Sequence, residues 1–407
     1  MKYLILLCDG MSDLPLEALN NKTPLEVANA PTMDFLAKSG YTGMVKTVPD
    51  TLAPGSDTAN MSVMGYDPEI FYTGRSPIEA ISMGIDLEPG DVAFRTNLVT
   101  LSDDEKYEEK TMLDYSSDEI STQEAKEIID TVNQAFETSE IKFFAGKSYR
   151  HCMVWKNAPI NGTLVPPHDI LTQKIKSFLP VNKHYEIIKT MMEKSFSLLK
   201  DHPINKIRES RGLRPANSIW IWGQGTKPAL PKLTEKYGLK GSVITAVDLI
   251  FGLGICAGLD VVEVIGATGN IHTNFAGKAA AAINEFERGQ DYIYLHVEAP
   301  DECGHRDELD NKILSIELID EKILKPIYDY LMDKKVKTGE DFRMLITPDH
   351  PTPISLRTHT NDPVPFIIYA SDGSLFNPSV VYSEKECQKS GVCIDKGYTL
   401  FDFFING

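Results

Sequence analysis

The 407-residue chain lacks paired cysteines and long apolar segments. Its six cysteines are scattered without a C-x-x-C pair, so we expect reduced thiols in a cytoplasmic protein. No stretch reaches the roughly 20 apolar residues that a membrane-spanning helix needs. The apolar start of the chain is interrupted by Asp9 too early for a signal peptide.

The chain is also short of basic residues, with 41 Lys and Arg against 58 Asp and Glu and a net charge of −17. Such acidity disfavours binding to nucleic acid and to anionic membrane surfaces, so we expect a small-molecule partner. A phosphate-bearing substrate would need local positive charge from metal ions or clustered arginines. The absence of a G-x-x-x-x-G-K-[ST] loop argues against a kinase. Nothing in the sequence indicates the oligomeric state.

Apolar runs alternate with amphipathic segments over most of the chain. Lys2–Cys8 is a continuous apolar run that predicts a buried parallel strand. From residue 218 onward, six more strand candidates alternate with helix candidates at 229–237, 248–257, 274–288 and 311–333. The strand candidates cover 219–222, 242–246, 261–265, 292–297, 343–347 and 365–370. This rhythm predicts a doubly wound α/β sheet, which the first strand joins.

The middle of the chain predicts a smaller, separate α/β domain. Strand candidates at 92–101 and 147–155 accompany helix candidates at 122–136, 170–179 and 184–199. Residues 74–77 and the polar stretch 201–214 look like linkers. We therefore expect two domains, one formed by residues 1–74 and 216–407 and the other an insertion of residues 75–215.

Three predicted strands end in side chains that bind metals. Asp9 follows the first strand, Asp301 and His305 follow the strand at 292–297, and Asp349 and His350 follow the strand at 343–347. Ligands of open α/β sheets bind at the carboxyl ends of strands. The spacing of Asp301 and His305 puts both on one face of a helical turn. Carboxylate and imidazole ligands suit Mn²⁺, Zn²⁺ or Mg²⁺.

Two further candidates lie on loops. His359 follows a loop that three prolines stiffen, and Ser56 stands at the predicted start of a helix. Ser56 is either a helix cap or a nucleophile beside a bound phosphate, and Asp9 could equally cap a turn. Residues 345–359 could be an ordinary surface loop. The joint placement favours seven ligands around two ions, an arrangement typical of phosphoryl transfer.

Four motifs together resemble the alkaline phosphatase superfamily: D-G after the first strand, G-S-D-T-A-N, P-D-E-C-G-H, and P-D-H followed by T-H-T-N-D-P-V-P-F. Within it the chain resembles the cofactor-independent phosphoglycerate mutases of the archaeal type over nearly its whole length. The resemblance implies an isomerase of glycolysis and gluconeogenesis that interconverts 3-phosphoglycerate and 2-phosphoglycerate. It implies no 2,3-bisphosphoglycerate, and two divalent ions that are Mn²⁺ or Mg²⁺, with Zn²⁺ and Co²⁺ as further candidates.

The resemblance also implies roles for individual residues. It implies a phosphoserine at Ser56 and a contact between Asn60 and the phosphate. One ion would be held by Asp301, His305 and His359, and the other by Asp9, Asp349, His350 and the Ser56 oxygen. The insertion would bind the glycerate part of the substrate. Its catalytic candidates are Asp114, Arg150, His151 and Asp169, and its substrate-binding candidates are His168, Arg211 and Arg214.

Each insertion residue could instead form a surface ion pair. The chain also departs from the S-A-G that is common in this branch at residues 116–118, and Phe251 stands in a segment after Ala246 that lacks an expected basic residue. In the implied mechanism Ser56 attacks phosphorus, glycerate stays trapped between the domains, and an acid–base group such as Asp114, Asp169 or His151 activates the other hydroxyl.

Other functions fit the same motifs. The alternatives are a metal-dependent phosphomonoesterase and a sugar-phosphate mutase of the same superfamily. A sulfatase is disfavoured because the nucleophile segment lacks C-x-P-x-R. A non-catalytic metal-binding module is disfavoured because Ser56 is present beside the intact ligands.

Overall fold

The computed structural model describes residues 1–407, which form two compact units. The larger unit comprises Met1–Tyr72 and Ala229–Gly407, and the smaller unit is Thr73–Pro228. No helix is long and apolar enough to cross a membrane.

The strands, in chain order, are β1 Lys2–Cys8, β2 Tyr41–Val45, β3 Asp91–Leu101, β4 Met112–Asp114, β5 Ile141–Phe144, β6 Arg150–Lys156, β7 Ser218–Thr226, β8 Gly241–Ile244, β9 Asp260–Val262, β10 Tyr292–Val297, β11 Phe342–Thr347, β12 Val364–Ala370 and β13 Cys393–Ile394. The α-helices are α1 Pro24–Val27, α2 Pro31–Ser39, α3 Ser56–Val63, α4 Pro68–Phe71, α5 Arg75–Ser82, α6 Thr122–Phe136, α7 Glu186–Leu199, α8 Pro203–Ser210, α9 Leu233–Tyr237, α10 Asp248–Cys256, α11 Phe275–Glu287, α12 Ala299–Arg306, α13 Leu309–Ile319, α14 Lys325–Thr338, α15 Glu384–Lys389 and α16 Thr399–Asn406.

The larger unit is built on an eight-stranded sheet with the order β13-β2-β12-β11-β1-β10-β8-β9. The five strands from β11 to β9 are parallel, and β12 runs antiparallel to both of its neighbours. Because β11, β1 and β10 are adjacent and parallel, their carboxyl ends lie side by side at one edge. The first strand thus joins the main sheet, and the α/β fold is confirmed.

Helices cover both faces of this sheet, which explains why β1, β10 and β11 are buried along their whole length. One face packs against α2, α11, α13 and α14 in a continuous apolar core. On the opposite face, Tyr3 and Tyr292 contact the rings of Phe404 and Phe401 in α16. The alternating side chains of each strand therefore point into two different packed layers.

The helix predicted at 311–333 is interrupted by a π-helical turn, Asp320–Leu324, between α13 and α14. The Asp320 carboxylate in this turn accepts hydrogen bonds from the backbone N–H groups of Thr32 and Met33, at 3.1 and 2.7 Å. These groups lie in the first turn of α2, whose N-cap Ala30 has no side-chain acceptor. Asp320 thus completes the start of a distant helix.

The smaller unit has an antiparallel sheet in which β3 pairs with β6 along one edge and β7 along the other. Strand β5 extends the sheet from β6, and β4 pairs with the end of β3. Helices α6 and α7 supply apolar side chains to its core, among them Ile128 and Met192, which join Phe94 and Leu98 of β3.

Several sequence-based boundaries differ from the structure. Residues 219–222 were expected in the parallel sheet, but they lie in β7 of the smaller unit, which ends at Pro228 and not at residue 215. An apolar run does not reveal its pairing partner. The helix expected at 170–179 is wrong: Pro167–Ile170 and Ile175–Phe178 are separate 3-10 turns, and Thr172 between them has a left-handed φ of 65°.

Both expected linkers contain helices. The segment 201–214 forms α8, which the His202 side chain caps and which buries Asn205 and Arg208. The second linker, residues 74–77, runs into the first turn of α5. Polar side chains made the segment 201–214 look solvated, although Asn205 Nδ2 donates to the carbonyls of Leu199 and Ala216 inside the protein.

Candidate active site

The adjacent ends of β1 and β11 bring together Asp9, Asp349 and His350, all fully or almost fully buried. His350 Nε2 lies 3.7 Å from Asp9 Oδ1 and 3.4 Å from Asp349 Oδ2. Ser56 Oγ lies 3.2 Å from the same nitrogen. We call these four residues the Asp9 group.

A second set comprises Asp301 and His305 of α12 and His359, which we call the Asp301 group. Nε2 of His305 lies 2.9 Å from Nε2 of His359, and each nitrogen lies 3.3 Å from an oxygen of Asp301. Two imidazole nitrogens that face each other with a carboxylate between them are arranged like ligands of one cation. The rings of His350 and His359, 4.0 Å apart, join the two groups.

The chemistry of both groups fits divalent cations. Burial raises the pKa of Asp9 well above its usual value, and the nearby carboxylates of Asp349, Asp301 and Glu298 raise it further. Asp9 Oδ1 is buried without a hydrogen-bond partner. Buried carboxylates that repel one another are costly unless positive charge compensates them. Oxygen and imidazole donors suit Mn²⁺, Mg²⁺ or Zn²⁺.

Ser56 is the first residue of α3 and is not its cap. The N-cap is Gly55, and the N–H of Thr58 in the first turn donates to Asp57 Oδ1 at 2.9 Å. Of the two interpretations that the sequence left open, the structure therefore removes the capping role. The hydroxyl instead points at His350.

Asn60 is placed differently from the expectation that it contacts phosphate. Its Nδ2 donates to Asp349 Oδ2 and to the Ser56 carbonyl, both at 2.8 Å, and its Oδ1 accepts from the Tyr294 hydroxyl at 2.6 Å. The residue is fully buried. Both amide hydrogens are therefore used within the protein in this structure, and a contact between Asn60 and phosphate stays a prediction. The structure makes Asn60 a support for Asp349.

Sequence reasoning missed two supporting residues. His296, in β10, lies 2.9 Å from Asp9 Oδ2 through Nε2 and 3.1 Å from Thr245 Oγ1 through Nδ1. Burial lowers its pKa to about 3, which favours the neutral ring. Thr352 Oγ1 donates to Asp301 Oδ1 at 2.5 Å. For His296, the sequence did contain a signal, because a histidine stands within the otherwise apolar run Y-I-Y-L-H-V.

Gly10 allows the two groups to approach each other. It has a left-handed φ of +61°, its N–H donates to Asp349 Oδ1 at 3.1 Å, and a Cβ would lie 2.6 Å from Asp301 Cα. We expect Gly10→Ala to lower the free energy of unfolding by about 1–3 kcal/mol and to weaken Mn²⁺ binding, because the backbone must move. Urea unfolding and Mn²⁺ titration measure both effects.

Gly339→Ala is the matched control for this substitution. Gly339 has a φ of +74° and open space around a Cβ, so it shares the backbone strain without the clash. Equal destabilisation by the two substitutions, with unchanged Mn²⁺ binding, would contradict the importance of the close approach.

In the smaller unit, Asp114 is held by several donors. The backbone N–H groups of Ser116 and Asp118 donate to its carboxylate, and Arg214 Nη1 lies 3.1 Å away. Burial acts to raise the pKa of Asp114, but these bonds outweigh it and hold the pKa below its usual value. The departure from S-A-G lies here: Ser117 and Asp118 have left-handed φ values of 51° and 53°.

A cluster of aromatic and arginine side chains lies near Asp114. His168 contacts the Trp222 ring at 5.3 Å, and Arg95 Cζ lies 4.5 Å above that ring. Arg150 Cζ lies 5.7 Å from the Tyr149 ring. The members of this aromatic–arginine cluster are Arg95, Tyr115, Tyr149, Arg150, His168 and Trp222.

The remaining predicted residues of the insertion are Arg211, His151 and Asp169. Arg211 pairs with Glu124 at 3.3 Å. His151 is buried opposite Thr96 on the core-facing side of β3, and burial lowers its pKa to about 3, which disfavours proton transfer near neutral pH. Asp169 is exposed, with a carboxylate oxygen 3.6 Å from His168 Nε2.

The larger unit is thus an α/β unit whose mostly parallel sheet carries acidic and imidazole side chains at its carboxyl edge. A family model described as 2,3-bisphosphoglycerate-independent phosphoglycerate mutase matches residues 37–205. A protein of that name from Methanosarcina mazei is 45% identical over 406 residues, which is 100% of both chains.

Solved structures agree with this match. A protein from Pyrococcus horikoshii has a TM-score of 0.81 and 30% identity, covering 100% of this chain and 96% of that one. The cofactor-independent phosphoglycerate mutase from Thermoplasma acidophilum has a TM-score of 0.68 and 25% identity, covering 100% and 99%. The chain belongs to the 2,3-bisphosphoglycerate-independent phosphoglycerate mutase family. It is an isomerase that needs no 2,3-bisphosphoglycerate, and the predicted resemblance is confirmed.

Proposed function

We propose that the chain interconverts 3-phosphoglycerate and 2-phosphoglycerate through a phosphoserine at Ser56, at a site for two divalent cations. The observation that carries this proposal is the placement of Ser56 Oγ, 3.2 Å from His350 Nε2 within a buried set of carboxylates and imidazoles.

The Asp301 group would hold one cation and the Asp9 group the other. When bound, the cations supply positive charge that favours the ionised Ser56 hydroxyl and offsets charge on the transferring phosphoryl group. Mn²⁺ or Mg²⁺ fits the donor set, with Zn²⁺ or Co²⁺ as alternatives. The free thiols of all six cysteines fit a reducing, cytoplasmic location.

Ser56 forms and breaks the bonds to phosphorus. Its Oγ attacks the phosphorus of 3-phosphoglycerate, the bond between phosphorus and the 3-oxygen breaks, and that oxygen takes a proton. The 2-hydroxyl of glycerate then loses its proton and attacks the phosphoserine, which releases Oγ. The first turn of α3, with N–H groups at a helix N-terminus, favours a phosphoryl group on Ser56.

The smaller unit would bind the glycerate part. Arg95 stacks on Trp222 but is paired with Glu79 at 3.1 Å. Arg150 is exposed beside Tyr149, so it is the member of the aromatic–arginine cluster that offers positive charge for a carboxylate. His168 and Arg214 would assist as substrate-binding residues. Asp114 or Asp169 would serve as the acid–base group.

A ³¹P NMR time course with 3-phosphoglycerate and Mn²⁺ tests the reaction. We expect the 2-phosphoglycerate signal to grow until its ratio to the 3-phosphoglycerate signal is constant, and no conversion after chelation. Growth of inorganic phosphate in place of 2-phosphoglycerate would contradict the mutase and favour the phosphomonoesterase.

Cation binding should also stabilise the fold. We expect chelation to lower the free energy of unfolding, since a cation at a hundredfold excess over its Kd contributes about 2.7 kcal/mol per site. Thermal unfolding of the apoprotein with increasing Mn²⁺ measures this. Asp349→Asn should be stabilised less by Mn²⁺ than the wild type. Asp86 is an exposed carboxylate of the smaller unit, so Asp86→Asn should be stabilised as much as the wild type. A melting temperature that does not change as the Mn²⁺ concentration increases would contradict the two-cation site.

A further inference from the structure

Strand β10 carries two buried tyrosines, of which one hydroxyl group has a hydrogen-bond partner and the other has none. Tyr292 and Tyr294 are both fully buried, and two residues apart on a strand they lie on the same face. The Tyr294 hydroxyl donates to Asn60 Oδ1 at 2.6 Å, whereas the Tyr292 hydroxyl has no partner. Tyr292 can therefore serve as the internal control for the hydrogen bond that Tyr294 makes.

The bond from Tyr294 fixes which way the Asn60 amide faces. With Oδ1 toward Tyr294, Nδ2 points toward Asp349 Oδ2 and the Ser56 carbonyl, both at 2.8 Å. The reversed amide would place Oδ1 against the Asp349 carboxylate, an acceptor against an acceptor. The Tyr294 hydroxyl thus supports the orientation of the amide in which both the oxygen and the nitrogen of Asn60 have hydrogen-bond partners.

Asn60 acts on the oxygen of Asp349 that faces the site. Oδ1 of Asp349 accepts from the backbone N–H groups of Gly10 and His350, at 3.1 and 2.8 Å. Oδ2 accepts from Asn60 and lies 3.4 Å from His350 Nε2. The rotation of the carboxylate therefore depends on both the backbone and the Asn60 amide.

We infer that Tyr294 is a positioning residue that orients Asp349 and the start of α3 through Asn60. It sets the affinity of the Asp9 group for its cation and the placement of Ser56 Oγ. Partners behind metal ligands typically change metal affinity or activity 10–100-fold when they are removed. This inference rests on the proposed two-cation site.

The test compares Tyr294→Phe with Tyr292→Phe. Each variant loses one buried oxygen from the same strand. Apoproteins are first checked by thermal unfolding, then titrated with Mn²⁺ while free Mn²⁺ is followed by EPR, and kcat and KM are measured at saturating Mn²⁺. We expect Tyr294→Phe to weaken one of two Mn²⁺ equivalents about 10-fold and to lower kcat with little change in KM. Tyr292→Phe should match the wild type in both.

Asn60→Ala provides the second arm, which leaves β10 intact. If Tyr294 acts through Asn60, adding Tyr294→Phe to Asn60→Ala should produce no further loss of Mn²⁺ affinity. A full additional loss would overturn the inference, because Tyr294 would then act by another route.

The outcomes also separate this inference from the proposed function. If Tyr294→Phe binds Mn²⁺ and turns over like Tyr292→Phe, the inference is wrong, and the cation site stands as long as Asp349→Asn loses one Mn²⁺ equivalent. If Asp349→Asn still binds two equivalents as tightly as the wild type, the assignment of the Asp9 group fails instead.

Discussion

Ser56→Ala should abolish isomerisation, with a fall in kcat of about 10⁴-fold or more, since loss of an attacking hydroxyl removes the covalent route entirely. The methyl group leaves the buried carboxylates and imidazoles in place, so the variant should still fold and bind Mn²⁺. The ³¹P time course measures turnover. Mass spectrometry of the acid-quenched wild type should find phosphate on the peptide that contains Ser56.

Ser62→Ala is the matched control in the same helix, because Ser62 is buried in α3 away from the ligand atoms. It should keep wild-type turnover within a few-fold. Isomerisation by Ser56→Ala at the rate of Ser62→Ala would mean that another residue, or direct transfer, carries the phosphoryl group.

Lys312→Met should have the largest effect on stability, a loss of about 3–5 kcal/mol in the free energy of unfolding. Lys312 Nζ donates to Asp13 Oδ2 at 2.7 Å and to the Thr352 carbonyl at 2.8 Å, and the side chains of Lys312 and Asp13 are fully buried. Methionine would fill the space but leave the Asp13 carboxylate buried without its cation. Urea unfolding at pH 7 measures the change.

A surface pair gives the comparison. Lys325→Met removes an ion pair with Asp329 at 2.6 Å in which both side chains are more than half exposed, so we expect a change below about 1 kcal/mol. The double variant Asp13→Leu with Lys312→Met should recover much of the loss, because no buried charge remains. An equal loss in the free energy of unfolding for Lys312→Met and Lys325→Met would show that the buried pair contributes no more to stability than the surface pair.

The sequence predicted the larger sheet and its ligand edge well, because both depend on local patterns. Lys2–Cys8 and Tyr292–Val297 are largely apolar runs, and the residues that follow the parallel strands of an open sheet lie at the same edge. The chemistry of the residues at that edge then indicated Asp9, Asp301 and Asp349 as candidate metal ligands. The structure places these three close together, although their roles as metal ligands stay predictions.

The supporting residues could not be predicted in the same way. Tyr292 and Tyr294 occupy equivalent positions in one apolar run, and only the packing of α3 against the strand decides which hydroxyl finds a partner. The same limit applies to the smaller unit. Alternation along β6 separates Arg150 from His151, but the sequence does not say which side is covered by helices.

The inserted unit also affects the order in which the protein can fold. Its sequence is contiguous, and its ends meet because Thr73 Oγ1 donates to the Thr226 carbonyl. In the larger unit, β1 must pair with β10 across all of the intervening chain. Once the insertion has folded, its joined ends replace a long flexible loop with a short connection, which lowers the entropy cost of closing the sheet.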